Sequence, residues 1–338
     1  MDYKDAGVDI PAAEAAKTRI KALAQATFSP SVLTEIGAFG GMFRADFASY
    51  QEPVLVASTD GVGTKIQVAI AAGVHDTVGY DLVAHCVDDI LVQGAQPLFF
   101  MDYIAVGKMD PDRIEAIVRG FARACSEFGC PLIGGETAEM PGTYAAHDYD
   151  LAGFIVGVVD KKKALPQGVR EGDLLLGLPS AGLHTNGYSL ARRVLFEVQG
   201  FRIDTSLDTL GCTVGDALLA PHRSYLAALD PLLARGKIRA LAHITGGGFP
   251  GNIPRVLPVG LAARIRADAW PVPPLFTLIQ EAGSVSDEEM FRTFNMGIGM
   301  VLVVSPQDLH DVEHSLERRG ESSFLLGSLV PGSGVIFE

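Results

Sequence analysis

Short β-rich apolar runs alternate with helix-patterned segments along this chain, and several of the runs end in a turn that carries both glycine and a carboxylate. Such alternation commits a chain to α/β layers, because each sheet face and each helix stripe must be covered by the other. The chain has 38 glycines in 338 residues. Clustered at strand ends, glycines let a backbone approach a ligand closely or take a positive φ. The length suits two domains of about 150 residues better than one. The fold class expected is therefore α/β (α+β) in two domains.

The run Pro53-Val54-Leu55-Val56-Ala57-Ser58 reads as a strand ending at Thr59-Asp60-Gly61-Val62-Gly63-Thr64-Lys65. A helical pattern covers residues 76–93, an apolar strand residues 98–106, and Asp110-Pro111 opens a further helix with a capping carboxylate and proline at its first position. That helix is expected to end near Gly129, before a short strand leading into Gly134-Gly135-Glu136-Thr137. Residues 149–159 read as another strand. The basic, Pro- and Gly-bearing stretch 161–172 is the expected boundary, dividing the chain into domains at 1–163 and 170–338. Beyond it come strands at 173–178 and 299–304, and helical patterns at 188–198, 217–233, 275–282 and 307–319. No fixed-period repeat and no low-complexity segment is present.

Composition excludes several classes. With 48% hydrophobic and 20% charged residues, the chain is not of the disordered kind. No apolar run approaches the roughly 18 residues of a membrane span, and residues 1–5 offer no apolar h-region, so neither a secretory signal nor a membrane partner is expected. The cysteines Cys86, Cys125, Cys130 and Cys212 form no CxxC pair, which suits reduced thiols and a cytoplasmic location. A net charge of −13 with no basic stripe argues against nucleic acid. It also means that any bound phosphate must be met by metal ions, backbone N–H groups or local cations.

Four stretches carry candidate chemistry. In the first, Asp60 stands at a strand end where it can hold a metal, while the N–H groups around Gly61, Gly63 and Thr64, with Lys65, face phosphate oxygens. A simple Asx turn is the plain alternative, and no GxxxxGK[ST] loop occurs. In the second, Leu82, Val83, Cys86, Val87, Ile90 and Leu91 form an apolar helix face, with Asp81, His85, Asp88 and Asp89 expected on the opposite side. Two such carboxylates 7 Å apart repel by roughly 2 kcal/mol at an effective dielectric near 20, and no Lys or Arg lies between His75 and Met101 to offset them. A metal would relieve the repulsion, as would solvent. For His85 itself a hydrogen-bonded structural role is the simpler expectation.

The third stretch, residues 134–142, places Glu136 and Thr137 after two adjacent glycines at a strand end, which makes Glu136 a further metal candidate. Three acidic loci of this kind suit Mg²⁺ and its oxygen ligands better than zinc. The fourth is a pair of loops in the second half, Ser180-Ala181-Gly182-Leu183-His184-Thr185-Asn186-Gly187 and Thr245-Gly246-Gly247-Gly248-Phe249-Pro250-Gly251. Both suit phosphate, and a surface histidine is the plain alternative for His184. The second loop formally matches GxGxxG, but Pro250 and Pro254 crowd the long helix that a dinucleotide fingerprint requires. No GxSxG or HExxH motif is present.

Six segments, in order and spanning nearly the whole chain, resemble signatures of the aminoimidazole ribonucleotide synthetase (phosphoribosylformylglycinamidine cyclo-ligase) family. They are residues 3–10, 59–65, 134–141, 183–189, 243–249 and 291–297. The resemblance implies a homodimer whose N-terminal mixed sheets pair into a shared barrel, a C-terminal α/β sandwich closing over a phosphorylated ribonucleotide, and ATP with Mg²⁺ as cofactors. It implies ATP-dependent ring closure through an iminophosphate. Carried onto these positions, Asp60, Asp89 and Glu136 would hold Mg²⁺, with Asp81 and Asp88 as further candidates. Lys4 and Lys65 would clamp phosphates beside Gly134 and Gly135. His184, Asn186, Thr245, Gly246, Gly247 and Gly248 would meet the substrate, with Lys4, Asp60, Asp89 and His184 as catalytic candidates. Two positions depart from the family pattern: Asp88, where Asn is frequent, and His85, where an apolar residue is frequent. Thiamine-monophosphate kinase, selenide water dikinase and the hydrogenase-maturation carbamoyl dehydratase resemble the chain in their acidic ATP site, but the segments around His184 and Asn295 favour the cyclo-ligase. A non-catalytic nucleotide-binding subunit is the alternative from another class, and the intact carboxylates speak against it.

Overall fold

A computed structural model describes residues 10–338; Lys4 lies outside them. The chain forms two compact units. The first runs up to Ile90 and resumes from Gln96 to Val158; the second takes Leu91–Ala95 and everything from Val159 onward.

The first unit begins with α1 (Ile10–Gln25), then β1 (Pro53–Gly61), α2 (Lys65–Ala72), α3 (Asp76–Leu91), β2 (Gln96–Val106), α4 (Pro111–Glu127), β3 (Leu132–Glu139) and β4 (Tyr149–Asp160). The four strands form one mixed sheet in the order β1-β4-β2-β3. β2 runs antiparallel to β4, from Gln96 beside Val158 to Val106 beside Tyr149, and parallel to β3. The Asp110 carboxylate accepts the amides of Asp112 and Arg113 at the start of α4, as its position before Pro111 requires. Two glycines decide how the helices pack. A Cβ on Gly79 of α3 would stand 2.2 Å from the Ile117 carbonyl oxygen, and one on Gly120 of α4 2.0 Å from that of Asp76. The two helices therefore cross with their backbones in contact, and α3 lies on the sheet with its Leu82 packed over Gly153 beside Phe100.

Of the two ways left open for relieving the acidic row of α3, this packing removes solvent for most of it: Asp81 and Asp88 are fully buried and His85 nearly so.

The second unit contains β5 (Leu174–Pro179), α5 (Tyr188–Arg192), the short ribbon β6 (Ser206–Leu207) and β7 (Cys212–Thr213), α6 (Val214–Leu219), α7 (Leu226–Ala234), β8 (Ala240–His243), α8 (Gly248–Asn252) and β9 (Leu261–Ile265). Then follow α9 (Pro274–Gly283), α10 (Asp287–Thr293), β10 (Ile298–Val304), α11 (Leu309–Glu317), β11 (Phe324–Pro331) and β12 (Gly334–Phe337). Six strands build its sheet in the order β12-β9-β11-β5-β10-β8, antiparallel except where β12 joins β9. Every residue of β10 is buried, which is why Ile298–Val304 is an unbroken apolar run rather than an alternating one. The single helix expected over residues 217–233 is two, α6 and α7. Pro221 prevents Ala220 from continuing the first, and Ala220 turns to ψ 125°. The helix expected over 188–198 likewise loosens into a wider turn after Arg192.

Candidate active site

The turn after β1 folds as an Asx turn, with the Gly61 amide donating to its neighbour's carboxylate, Asp60 Oδ1, at 2.7 Å. The other oxygen, Asp60 Oδ2, lies 2.9 Å from His85 Nε2, and that nitrogen is 3.7 Å from Asp89 Oδ2 one helical turn along α3. Ser58 donates to Asp89 Oδ2 at 3.2 Å. Burial works against the charged form of His85, yet the hydrogen bond to Asp60 and the charges of Asp89, Asp60 and Asp88 hold its proton above the ordinary value of 6.5. A buried imidazole that gains rather than loses basicity reports a strongly negative local field. Burial also works to raise Asp60, but the His85 hydrogen bond and charge keep it below 3.8. Asp60 remains 42% exposed and Asp89 24% exposed. Two accessible carboxylates in a negative field are a hard-oxygen donor set that fits Mg²⁺.

Lys65 and Asp81 lie elsewhere. Lys65 Nζ sits 2.6 Å from Asp81 Oδ2, and both side chains are completely buried. Burial pulls the lysine below its ordinary 10.5 despite the partner carboxylate. Neither faces solvent as the phosphate clamp and metal ligand expected of them, because the pair is an internal bridge between α2 and α3. Asp88, fully buried on α3, is likewise no open ligand.

Glu136 belongs to a different place in the same unit. It stands opposite Tyr103, which stands opposite Ala152, while Gly61 lies beside Leu151. With β4 and β2 between them, Asp60 and Glu136 are three strand steps, roughly 14 Å, apart along the sheet. Oxygens around one Mg²⁺ lie within about 4 Å of each other. Within the first unit the carboxylates thus stand in two places, Asp60 and Asp89 in one and Glu136 in the other.

The second place is a cavity of about 430 Å³, lined by Gly134, Gly135, Glu136 and Thr137, by Lys17 and Lys21 of α1, and by the glycine-rich turn of residues 36–41. Asp102 of β2 also lines it. Its carboxylate packs so tightly on β3 that a Cβ at Gly135 would lie 2.2 Å from Oδ1. Burial pushes Asp102 up to about 7, against a hydrogen bond from its own backbone, and the charge of Glu136 adds to the rise. Sequence reasoning passed over Asp102 and the 36–41 turn. The clustering of Gly37, Gly40 and Gly41 was a usable signal for the turn; for Asp102, inside an ordinary strand, there was none.

In the second unit the two predicted loops come together. A Cβ on Gly246 would stand 3.2 Å from Asn186 Oδ1. Asn252 ties the glycine loop from within, its amide donating to the Gly248 carbonyl at 2.8 Å. Asn295 pins the other loop by donating to the Gly182 carbonyl at 2.9 Å. Gly247 and Gly248 take φ of +91° and +55°, and α8 is only five residues long, so the formal GxGxxG is a tight cradle rather than a dinucleotide fingerprint. His184 is neither exposed nor at the surface. It is 1% exposed and stacks on His222 at 4.1 Å between ring centroids.

Comparison with known proteins settles the family. Residues 45–159 match the N-terminal domain and residues 170–338 the C-terminal domain of the AIR synthase related proteins. The chain is 52% identical over 331 residues to a phosphoribosylformylglycinamidine cyclo-ligase of Brevibacillus brevis, covering 98% of this chain and 96% of that one. The chain belongs to the AIR synthase family. Structures of more distant proteins show the same fold. Thiamine-monophosphate kinase from Stenotrophomonas maltophilia matches with a TM-score of 0.69 at 20% identity over 96% of both chains. The hydrogenase maturation protein HypE in complex with ATP matches at 0.65 and 17%, over 94% of this chain and 88% of that one. Family membership accounts for the order of all six signature segments, and no helix among the described residues is long and apolar enough to cross a membrane.

Proposed function

We propose that this chain closes the imidazole ring of aminoimidazole ribonucleotide from formylglycinamidine ribonucleotide, using ATP and Mg²⁺ in the cytoplasm and releasing ADP and phosphate. The observation that carries the reading is full-length identity to a cyclo-ligase, joined to an acidic cluster open to solvent at Asp60 and Asp89.

In this reading Asp60 and Asp89 would hold Mg²⁺, which when bound would neutralise charge developing on the transferred phosphoryl group. His85 holds Asp60 in place by a 2.9 Å contact. Glu136, with the amides of residues 134–137 and Lys17 and Lys21, lines the cavity that takes part of the nucleotide. Asn186 and the Thr245–Gly248 cradle orient the ribonucleotide through its phosphate. The formyl oxygen attacks the γ-phosphorus and ADP leaves. An amidine nitrogen then attacks the activated carbon, phosphate departs with the former formyl oxygen, and the nitrogen loses a proton. Holding the reacting atoms in line supplies roughly 7–11 kcal/mol at most. Lys4, outside the described residues, keeps its expected role as a phosphate clamp on the resemblance alone.

The homodimer belongs to the same proposal. Leu55, Tyr103 and Phe154 are 60%, 38% and 43% exposed on β1, β2 and β4 of the mixed sheet. Tyr103 pairs with Ala152, and Met101 pairs with Phe154, so Tyr103 and Phe154 project from one face at alternate positions. An apolar sheet face of this kind supports pairing with a second copy. The deciding assay is ADP release dependent on formylglycinamidine ribonucleotide. ADP formed with thiamine phosphate instead, and not with that substrate, would overturn the assignment.

A further inference from the structure

We propose that His184, His222 and His243 form a binding site for a divalent transition metal of the zinc class. Three separate segments deliver these side chains: the loop after β5, the segment between α6 and α7, and the last residue of β8. One ring nitrogen from each lies within 4.8 Å of the others, and all three residues are buried.

The spacing is what a metal requires. His222 Nε2 and His243 Nε2 are 3.3 Å apart. Two nitrogens bound to one tetrahedral zinc at about 2.05 Å each stand roughly 3.3–3.4 Å apart. A simple N–H···N hydrogen bond between the two rings would account for that pair, but not for the third. His184 is stacked on His222 with ring planes 29° apart, and it reaches this position only by adopting φ 60°. That is a left-handed backbone a non-glycine residue seldom takes. The Ala181 amide donates to His184 Nε2 at 3.1 Å, so that nitrogen carries a lone pair in the resting chain. A metal drawn to it replaces this hydrogen bond.

Surrounding groups fix the rings. Thr185 Oγ1 lies 3.5 Å from His222 Nδ1, the nitrogen turned away from His243, where outer groups usually set a ligand's tautomer. Tyr225 packs beside His184, and a Cβ at Gly299 would meet both the Tyr225 hydroxyl, at 2.1 Å, and the His184 ring, at 2.7 Å. Three neutral imidazoles are borderline-soft ligands that take Zn²⁺, Co²⁺, Ni²⁺ or Cu²⁺ and leave Mg²⁺ to oxygen. The two metals are therefore separable by chemistry.

The test uses the full chain, stripped with a chelator and returned to buffer with excess Mg²⁺, then titrated with Zn²⁺ against a chromophoric competitor. About one Zn²⁺ per chain is expected in the wild type. His222→Ala should weaken binding by more than about a hundredfold, the upper range for losing a mere outer partner, whereas Asp60→Asn should leave it unchanged. Zn²⁺ should raise the melting temperature of the wild type and not of His222→Ala. Should His222→Ala fail to fold, Co²⁺ added to the wild type decides: visible bands of four-coordinate, nitrogen-ligated cobalt support the site, and their absence overturns it. Zinc binding equal in wild type and His222→Ala, or none in the wild type, overturns it as well.

Discussion

Asp81 and Asp89 lie two turns apart on the same helix, carry the same charge, and have opposite fates. Asp81 is wholly buried against Lys65, whereas Asp89 keeps 24% of its side chain in solvent beside His85 and Ser58. Asp81 neutralises a lysine that has no other route to water, so its charge serves the interior. Asp89 shares the His85 imidazole with Asp60 and stays open to solvent. What separates the buried acid from the proposed metal ligand here is the cation each meets and its depth, not its residue type or helical spacing.

Four tests break or sharpen that contrast. The largest effect falls on the buried pair. Asp81→Ala leaves Lys65 charged in a dry interior and should cost about 3–5 kcal/mol of stability. Denaturant unfolding measures it, and Lys65→Met in the same chain should recover part of the loss, as a double-mutant cycle would show. Asp89→Asn should leave the unfolding curve in place while lowering turnover about 10²–10³-fold, the scale for losing a preorganised charge-stabilising group. An Asp89 variant that unfolds early with normal turnover would merge the two acids into one structural class.

Gly135→Ala tests whether the second acidic place is as tightly built. Its Cβ would stand 2.2 Å from Asp102 Oδ1 and 2.8 Å from the Asp102 carbonyl, and overpacking of this kind costs about 1–3 kcal/mol. Thermal unfolding with nucleotide titration should show both lower stability and weaker binding. The smallest effect is the pH dependence of the Asp60–His85 contact, measured without Mg²⁺. Asp60 is held below 3.8, so its contribution is present above that value and is lost as pH falls through the lowered value. His85 is held above 6.5, so its contribution is complete below that value and fades as pH rises through the raised one. The stability difference between wild type and His85→Leu should therefore be greatest between 3.8 and 6.5. A difference that grows with alkaline pH would mean that His85 is held neutral.

Much of the architecture was legible because its signals are local. The Asp110-Pro111 cap, the strand at residues 149–159 and the continuous apolar run of β10 each depend on neighbours in sequence, and each stands where expected to within a residue or two. The misreadings share one cause. The acidic row of α3 looked unopposed because the cation that meets Asp81, Lys65, comes from another helix. His222 drew no attention because its partners lie 38 residues before it and 21 after it, at His184 and His243. Gly79 and Gly120 gave no hint, residue by residue, that two backbones touch there.

Chain order, alternating strands and helices, glycine turns and the family's six segments were all determined by the sequence alone, since hydrophobic period, capping and motif spacing are properties of a few adjacent residues. Only the tertiary structure decided which acids face water, that Asp60 and Glu136 occupy separate edges of one sheet, and that three histidines meet in one core. Those outcomes depend on desolvation and on charges supplied from distant segments, and a charge acquires its role only when the fold has chosen its neighbours.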